Sequence, residues 1–143
     1  MTDRQKQLVQ DSFLKVTPIA DQAAALFYER LFALDPSLRP MFQTGLEEQG
    51  KKLMQTLGVA VRGLNYIEDL IPVLEKLAQR HAGYGVLPGH YDTVGEALLW
   101  TLGRGLGEAF TPEMREAWVE VYAMVACIMK TTAYPRSRTA SHG

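Results

Sequence analysis

Apolar side chains recur every three or four residues along almost the whole chain, which is the spacing of one face of an α-helix. One such face carries Leu70, Leu74, Leu77 and His81 in succession. No segment alternates between apolar and polar residues for long enough to pair into a sheet. The pattern therefore predicts an all-α chain of six or seven helices packed as one bundle-like domain.

Capping residues and prolines indicate where several helices begin. Asp3 is predicted to cap the first helix, and the Asp-Pro pair at 35–36 predicts the start of a short one. The Thr-Pro pair at 111–112 predicts the start of the last helix. Pro72 is expected in the first turn of its helix, where proline costs little. A turn is expected at residues 43–45.

Length and composition are those of one ordinary globular domain. The chain has 143 residues, of which 47% are hydrophobic and 22% are charged, and its formal net charge is -1. This length suits a single hydrophobic core, so a domain is predicted at 1–133, followed by a polar tail at 134–143 that is expected to be disordered. A charge near zero favours neither nucleic acid nor an anionic membrane as a partner.

Cysteine content and the N-terminal segment bear on where the protein works. The single cysteine, Cys127, allows no disulfide within the chain and no four-thiolate metal site. It is expected to be a small buried hydrophobic residue of the last helix. The N-terminus has no apolar stretch typical of a signal peptide, and no run of about 18 apolar residues could span a membrane. A cytoplasmic location is expected.

Three histidines narrow any argument about a metal. His142 lies in the polar tail, and His90 begins a helix where it is expected to be solvated. His81 lies on an apolar helical face and precedes a glycine-rich loop. Zinc requires three or four protein ligands, whereas a haem iron takes four nitrogens from its macrocycle and needs one imidazole from the protein. A lone inward histidine therefore favours haem over a bare metal ion.

Tyr28 and Gln49 are the other two polar residues on apolar helical faces. Each of the three has an ordinary structural explanation. Tyr28 could bond a backbone carbonyl, Gln49 could face water near a helix start, and His81 could be a hydrogen-bonded core histidine. Together they describe two hydrogen-bond donors on two packed helices opposite one imidazole on a third. That arrangement would stabilise a diatomic ligand polarised by a ferrous iron.

Several segments together resemble the single-domain bacterial haemoglobins, which are close to the haem domains of flavohaemoglobins and to neuroglobin-like bacterial globins. The segments are LFYERLF at 26–32, RPMFQ at 39–43 and RHAGYGVLPGHYDTVGEALL at 80–99, extended by AW at 117–118 and VY at 121–122. The resemblance runs from about residue 4 to 132. It implies the globin fold, with six to eight helices around one haem b.

The resemblance also implies roles for individual residues. His81 corresponds to the proximal histidine, Tyr28 to the distal tyrosine on helix B and Gln49 to the distal glutamine on helix E. Other residues are implied to surround the haem: Phe42 wedged against the porphyrin, Leu53 over the iron, Arg80 near a propionate, and Val86, Tyr91, Val94, Leu98 and Tyr122 packed around the haem or behind the histidine. Met54, next to Leu53, is expected to face away from the iron.

Two departures from the family pattern affect the expected chemistry. Flavohaemoglobins continue into a flavin- and nicotinamide-binding reductase, whereas this sequence stops at residue 143, so electrons are expected from a separate reductase. Family members also place a glutamate eleven residues after the tyrosine corresponding to Tyr122, and Ala133 stands there. His81 is then expected to have only a backbone or Tyr91 partner, which makes the iron less electron-rich.

The expected function is binding of oxygen, and of other diatomic ligands such as nitric oxide, at an iron that can be penta-coordinate. Tyr28 and Gln49 would hydrogen-bond the ligand, giving high affinity and slow release, as in oxygen transport or storage. One alternative is nitric oxide dioxygenation, which would detoxify nitric oxide. Others are a haem-based gas sensor and a helical domain without haem. Tyr28 could also bind ferric iron as a phenolate, with water the ordinary sixth ligand.

Overall fold

The computed structural model describes residues 2–42, 45–83 and 85–133, so the predicted tail at 134–143 and two residues of the predicted turn lie outside it. Six α-helices follow in order: α1 (Asp3–Val16), α2 (Ala20–Leu34), α3 (Leu46–Arg62), α4 (Ile67–Gly83), α5 (Pro88–Leu106) and α6 (Pro112–Ala133). Short 3₁₀ segments occupy Thr17–Ile19, Pro36–Met41, Gly63–Asn65 and Gly107–Ala109. The described residues form no strand, which confirms the prediction of an all-α chain.

The helix starts follow the predicted caps with two corrections. Asp35 accepts a hydrogen bond from the Ser37 amide, and the Thr111 hydroxyl accepts one from the last helix. The cap of α1 is Thr2 in a capping box, and Asp3 is its first helical residue. Pro72 lies inside α4, one turn later than predicted. It is exposed there, so water can reach the carbonyl whose amide partner proline lacks.

Two helices organise the packing of the others. α2 packs against both α3 and α5, while α6 packs against both α1 and α4. The consecutive helices α3 and α4 make almost no contact with each other. Trp118 in the second turn of α6 is buried, and its indole N–H donates to the hydroxyl of Ser12 on α1 over 2.8 Å.

The separation of α3 from α4 divides the apolar core into two clusters. The larger cluster lies among α1, α2, α5 and α6, and Leu53 and Leu57 of α3 pack against it. The smaller cluster contains Leu74 and Ala78 of α4 together with Tyr91. Helices α3 and α4 are therefore held against different parts of the core. None of the described helices combines the length and apolar character needed to cross a membrane.

Candidate functional site

His81 lies near the C-terminal end of α4, and its side chain is half-buried. Its Nδ1 atom is 2.8 Å from the carbonyl oxygen of Leu77, one turn earlier on the same helix. Because a carbonyl oxygen only accepts hydrogen bonds, Nδ1 carries the proton in this contact. The lone pair of Nε2 is then available to a metal, in the tautomer used by metal-binding histidines.

The chain turns sharply after His81 and remains bonded to the end of α4. Gly85 adopts a φ of 89°, a left-handed conformation that favours glycine. The Val86 amide then donates to the carbonyl of His81 over 3.1 Å. The Val86 side chain is half-buried against the smaller core cluster, whereas Arg80 is exposed.

Tyr28 is buried on α2 within a group of aromatic rings. Its ring centroid lies 5.2 Å from that of Phe27, 6.0 Å from that of Phe32 and 5.3 Å from that of Phe42. The side chain is 5% exposed, and burial raises the pKa of its hydroxyl to about 12. Tyr28 therefore keeps its proton at physiological pH, and the surrounding rings fix the direction of its side chain.

Gln49 lies in the first turn of α3, where its side chain is half-buried. The next residue, Gly50, is buried where α3 crosses α2 at Ala24. A Cβ atom on Gly50 would lie 4.0 Å from the ring of Tyr28. The crossing of α2 and α3 thus brings the turn that carries Gln49 beside Tyr28.

Leu53 lies one turn after Gln49 and is half-buried. Together with Met54 and Leu57 it lines a small cavity of about 20 Å³, whose other walls are apolar residues of α1, α2, α5 and α6 and the side chain of Thr101. Met54 is thus turned toward the interior and away from solvent. Leu98, implied by the resemblance to lie near the haem, lines the same cavity, and Val94 packs against the larger cluster.

Tyr91 and Tyr122 connect α5 with α6 behind the smaller cluster. The Tyr122 hydroxyl donates a hydrogen bond to the backbone carbonyl of Tyr91. Burial, with smaller contributions from Tyr91 and Asp92, raises the pKa of Tyr122. A Cβ atom on Gly95 would lie 2.7 Å from the Tyr122 ring, so glycine is required for this ring to fit.

One further sequence expectation is corrected, His90 is found to cap a helix, and the position that holds Ala133 in place of the family glutamate is located. Cys127 is exposed on α6 and is not a buried hydrophobic residue, because it lies on the face that turns away from α1 and α4. His90 is half-buried, and its Nδ1 accepts a hydrogen bond from the Leu87 amide at the start of α5, which makes it a capping residue. Ala133 is half-buried in the same cluster as Tyr91 and Leu77.

Sequence reasoning missed three residues that support this site. Leu77 was assigned to the apolar face, while its carbonyl orients His81. Gly50 and Gly95 drew no attention, although both sit where a Cβ atom would meet another helix. Glycine inside an otherwise regular helical pattern is the signal that could have identified them.

The residues present fit a haem held between α3 and α4. These helices are held apart and could admit a flat macrocycle. His81 keeps Nε2 available on α4, while Leu53 and Phe42 are half-buried apolar side chains on the opposite side. Among residues 2–42, 45–83 and 85–133, no three His, Cys, Asp or Glu side chains cluster as they would to hold a bare metal ion.

Comparison with known proteins agrees with this reading of the helices. The family model described as Globin matches residues 25–129. The chain is 36% identical over 107 residues to a flavohemoprotein of Bordetella parapertussis, covering 72% of this chain and 26% of that protein. It is also 36% identical over 124 residues to a flavohemoprotein of Rhizobium meliloti, covering 82% and 30% of the two chains. A flavohemoprotein of Rhodopirellula baltica is 32% identical over 121 residues, with 80% and 30% covered.

The all-α fold with the half-buried His81 is compatible with a helical haem protein, and the match shows the family. The chain belongs to the globin family, and the predicted globin fold is confirmed. A haem cofactor and haem-based gas binding are supported by this membership. The chain spans between a quarter and a third of the length of these curated relatives.

Proposed function

We propose that the protein binds oxygen reversibly at a haem b held by His81, with Tyr28 and Gln49 donating hydrogen bonds to the ligand. The observation that carries the proposal is the buried, protonated hydroxyl of Tyr28 on a helix packed against the turn that bears Gln49. A bound haem supplies an iron atom that takes up oxygen and other diatomic gases. The protein would supply His81 as the fifth ligand of the iron and a shielded pocket with hydrogen-bond donors.

The state of Tyr28 supports a role as a hydrogen-bond donor. A phenol whose pKa is about 12 keeps its proton at neutral pH and can donate it in a hydrogen bond. Burial causes this shift, without a contribution from a neighbouring charge. A donor in such a pocket stabilises partial negative charge on a ligand more than it would in water.

The contact between His81 and Leu77 gives the proposed proximal imidazole a backbone carbonyl as its partner. A backbone carbonyl orients the ring and holds the Nδ1 proton without drawing it away. A carboxylate in this position would make the imidazole more electron-donating, and the position equivalent to the family glutamate holds Ala133. We therefore assign the site to ligand binding ahead of chemistry that requires an electron-rich iron.

Oxygen dissociation from the reduced holoprotein tests this proposal. Loss of one buried hydrogen bond to a charged acceptor costs about 1.5–3 kcal/mol, so Tyr28→Phe should speed dissociation about 10- to 100-fold. Gln49→Leu should speed it by less, because Tyr28 remains. Tyr66→Phe is the matched control, since Tyr66 is exposed on another segment. Unchanged dissociation in a Tyr28→Phe protein that still binds oxygen would refute the assignment.

Nitric oxide dioxygenation is a second candidate, favoured by the relatives that are flavohemoproteins. In this reaction nitric oxide, oxygen and one electron from a reductase give nitrate. The pocket would hold oxygen on the Tyr28 side while nitric oxide reaches it. Steady consumption of nitric oxide by the protein with a flavin reductase would support this activity. A single stoichiometric burst, with no further consumption while reductant remains, would restrict the protein to binding.

A further inference from the structure

One face of α6 is left exposed by the other helices that the structure describes. Glu116, Val119, Ala123, Cys127 and Lys130 follow one another at spacings of three and four residues, so they form a single row, here called the α6 stripe. The first four are exposed and Lys130 is half-buried. Helices α1, α4 and α5 pack against the other faces of α6. The α6 stripe is therefore available to a partner.

The α6 stripe has an internal symmetry about Ala123. Glu116 and Lys130 lie seven residues before and after it, and Val119 and Cys127 lie four residues before and after it. In an antiparallel pair of identical helices crossing at Ala123, Glu116 faces Lys130 of the second copy and Val119 faces Cys127 of the second copy. A two-fold interface requires this kind of self-complementarity. We propose that two copies of the chain form a symmetric dimer through the α6 stripe.

The charges select this arrangement over others. The ion pair formed among the described residues joins Arg4 to Glu113, and neither Glu116 nor Lys130 takes part in it. Each is thus available to the other copy, and the two-fold axis makes every dimer contain two such pairs. A parallel pairing would place glutamate against glutamate and lysine against lysine, which is unfavourable.

The shape of the surface also suits a second helix. Ala123 at the centre has a small side chain, which lets two helices approach closely. Beside it, α5 and α6 form a groove of about 400 Å³, lined by Val119, Ala123 and Cys127 together with Leu99. Val119 is 38% exposed, and a dimer would remove it from water. Asp92 and Lys130 lie at the border of the same groove.

Sedimentation of the haem-loaded protein over a dilution series tests the dimer. The mass should rise from that of the monomer to twice that value as concentration increases. Glu116→Lys and Lys130→Glu should each raise the dissociation constant by about tenfold or more, because each puts two like-charge pairs into the interface. The protein carrying both substitutions should recover dimerisation, since the pairs are exchanged. Glu75→Lys, an exposed change on α4, should have no effect.

A monomer at all concentrations would overturn the proposal. It would leave the groove to a small apolar molecule or to a different protein. A dimer insensitive to both charge reversals would overturn this interface in favour of another surface. Neither result depends on oxygen binding, so the dimer and the proposed function can fail separately.

Directed cross-linking tests the register. In Val119→Cys, oxidation with diamide should join the introduced thiol to Cys127 of the second copy, giving a covalent dimer while diamide takes up the two electrons and two protons. The two positions in one chain are eight residues apart, about 12 Å along the helix, which is too far for an internal disulfide. The double variant Val119→Cys with Cys127→Ser is the control and should stay uncrosslinked. Failure of Val119→Cys to cross-link in a protein that sediments as a dimer would refute the antiparallel register.

Discussion

A Cβ atom placed on Gly50 would lie 2.8 Å from the Cβ atom of Ala24, so α2 and α3 touch at this point through their backbones. Neither helix has a flexible side chain there that could move aside. The contact sets the distance between the helices that carry Tyr28 and Gln49. The geometry of the proposed ligand pocket therefore depends on a residue with no side chain.

Gly50→Ala should push α2 and α3 apart and lower the free energy of unfolding by about 1–3 kcal/mol, as overpacking does. It should also speed oxygen dissociation, because the two donors move apart. Gly58→Ala in the same helix is the control. Its added Cβ would meet the mobile end of Arg62, so that change should be neutral or stabilising. Urea unfolding measures both changes. If the two substitutions lowered the free energy of unfolding equally, the crossing of α2 and α3 would not be the cause of the loss in Gly50→Ala.

Haem retention should depend on His81 and not on His90. His81→Gly should lose the Soret band or bind haem weakly, and added imidazole should restore the band by filling the vacated position. His90→Ala should keep the band, because His90 caps the backbone of α5. An unchanged spectrum in His81→Gly would mean that another residue holds the iron.

Ala133→Glu should bring a carboxylate into the half-buried cluster that contains Tyr91 and Leu77. Acting on the imidazole of His81, this charge should lower the reduction potential of the iron. Redox titration measures the change, with Thr131→Glu on the exposed side as the control. A potential that moves equally in both variants would indicate a general effect of charge.

Stability should fall at high pH because of Tyr28. Its pKa is about 12 in the folded protein and about 10 in the unfolded chain, so the unfolded chain loses this proton first. The contribution of Tyr28 to the free energy of unfolding is fully present below a pH of about 10, and it declines as the pH rises toward 12. Tyr28→Phe should make that part of the unfolding profile less steep, with the decline due to the raised pKa of Tyr122 remaining, whereas Tyr66→Phe should leave it unchanged.

Tyr122→Phe removes the hydrogen bond to the Tyr91 carbonyl while keeping the ring against Gly95. The free energy of unfolding should fall by about 1 kcal/mol. Gly95→Ala should cost more, because the ring itself must move. Urea unfolding gives the loss of free energy of unfolding in each variant. A smaller loss in Gly95→Ala than in Tyr122→Phe would show that the ring of Tyr122 has room to shift.

The helices could be predicted because their information is local. The caps at Asp35 and Thr111 and the apolar period of α4 act within a few residues, and the structure follows them. The error in the cap of the first helix was also local. Thr2 and Asp3 are both capable of capping, and the capping box with Gln5 decides between them. The lone histidine on an apolar face favoured haem over a bare metal ion, because a haem iron needs one imidazole from the protein.

Side-chain environments that depend on contacts between helices could not be predicted. Cys127 looked like a core residue by type, and only the packing of α1 and α4 on α6 shows that its face is open. Gly50 and Gly95 are needed because Ala24 and the Tyr122 ring, respectively, lie close to them on neighbouring helices. The sequence does not show which helices cross at these positions. The sequence by itself determined the helices and the inward histidine. The tertiary structure decided which side chains meet, because close packing joins residues that lie far apart in the chain.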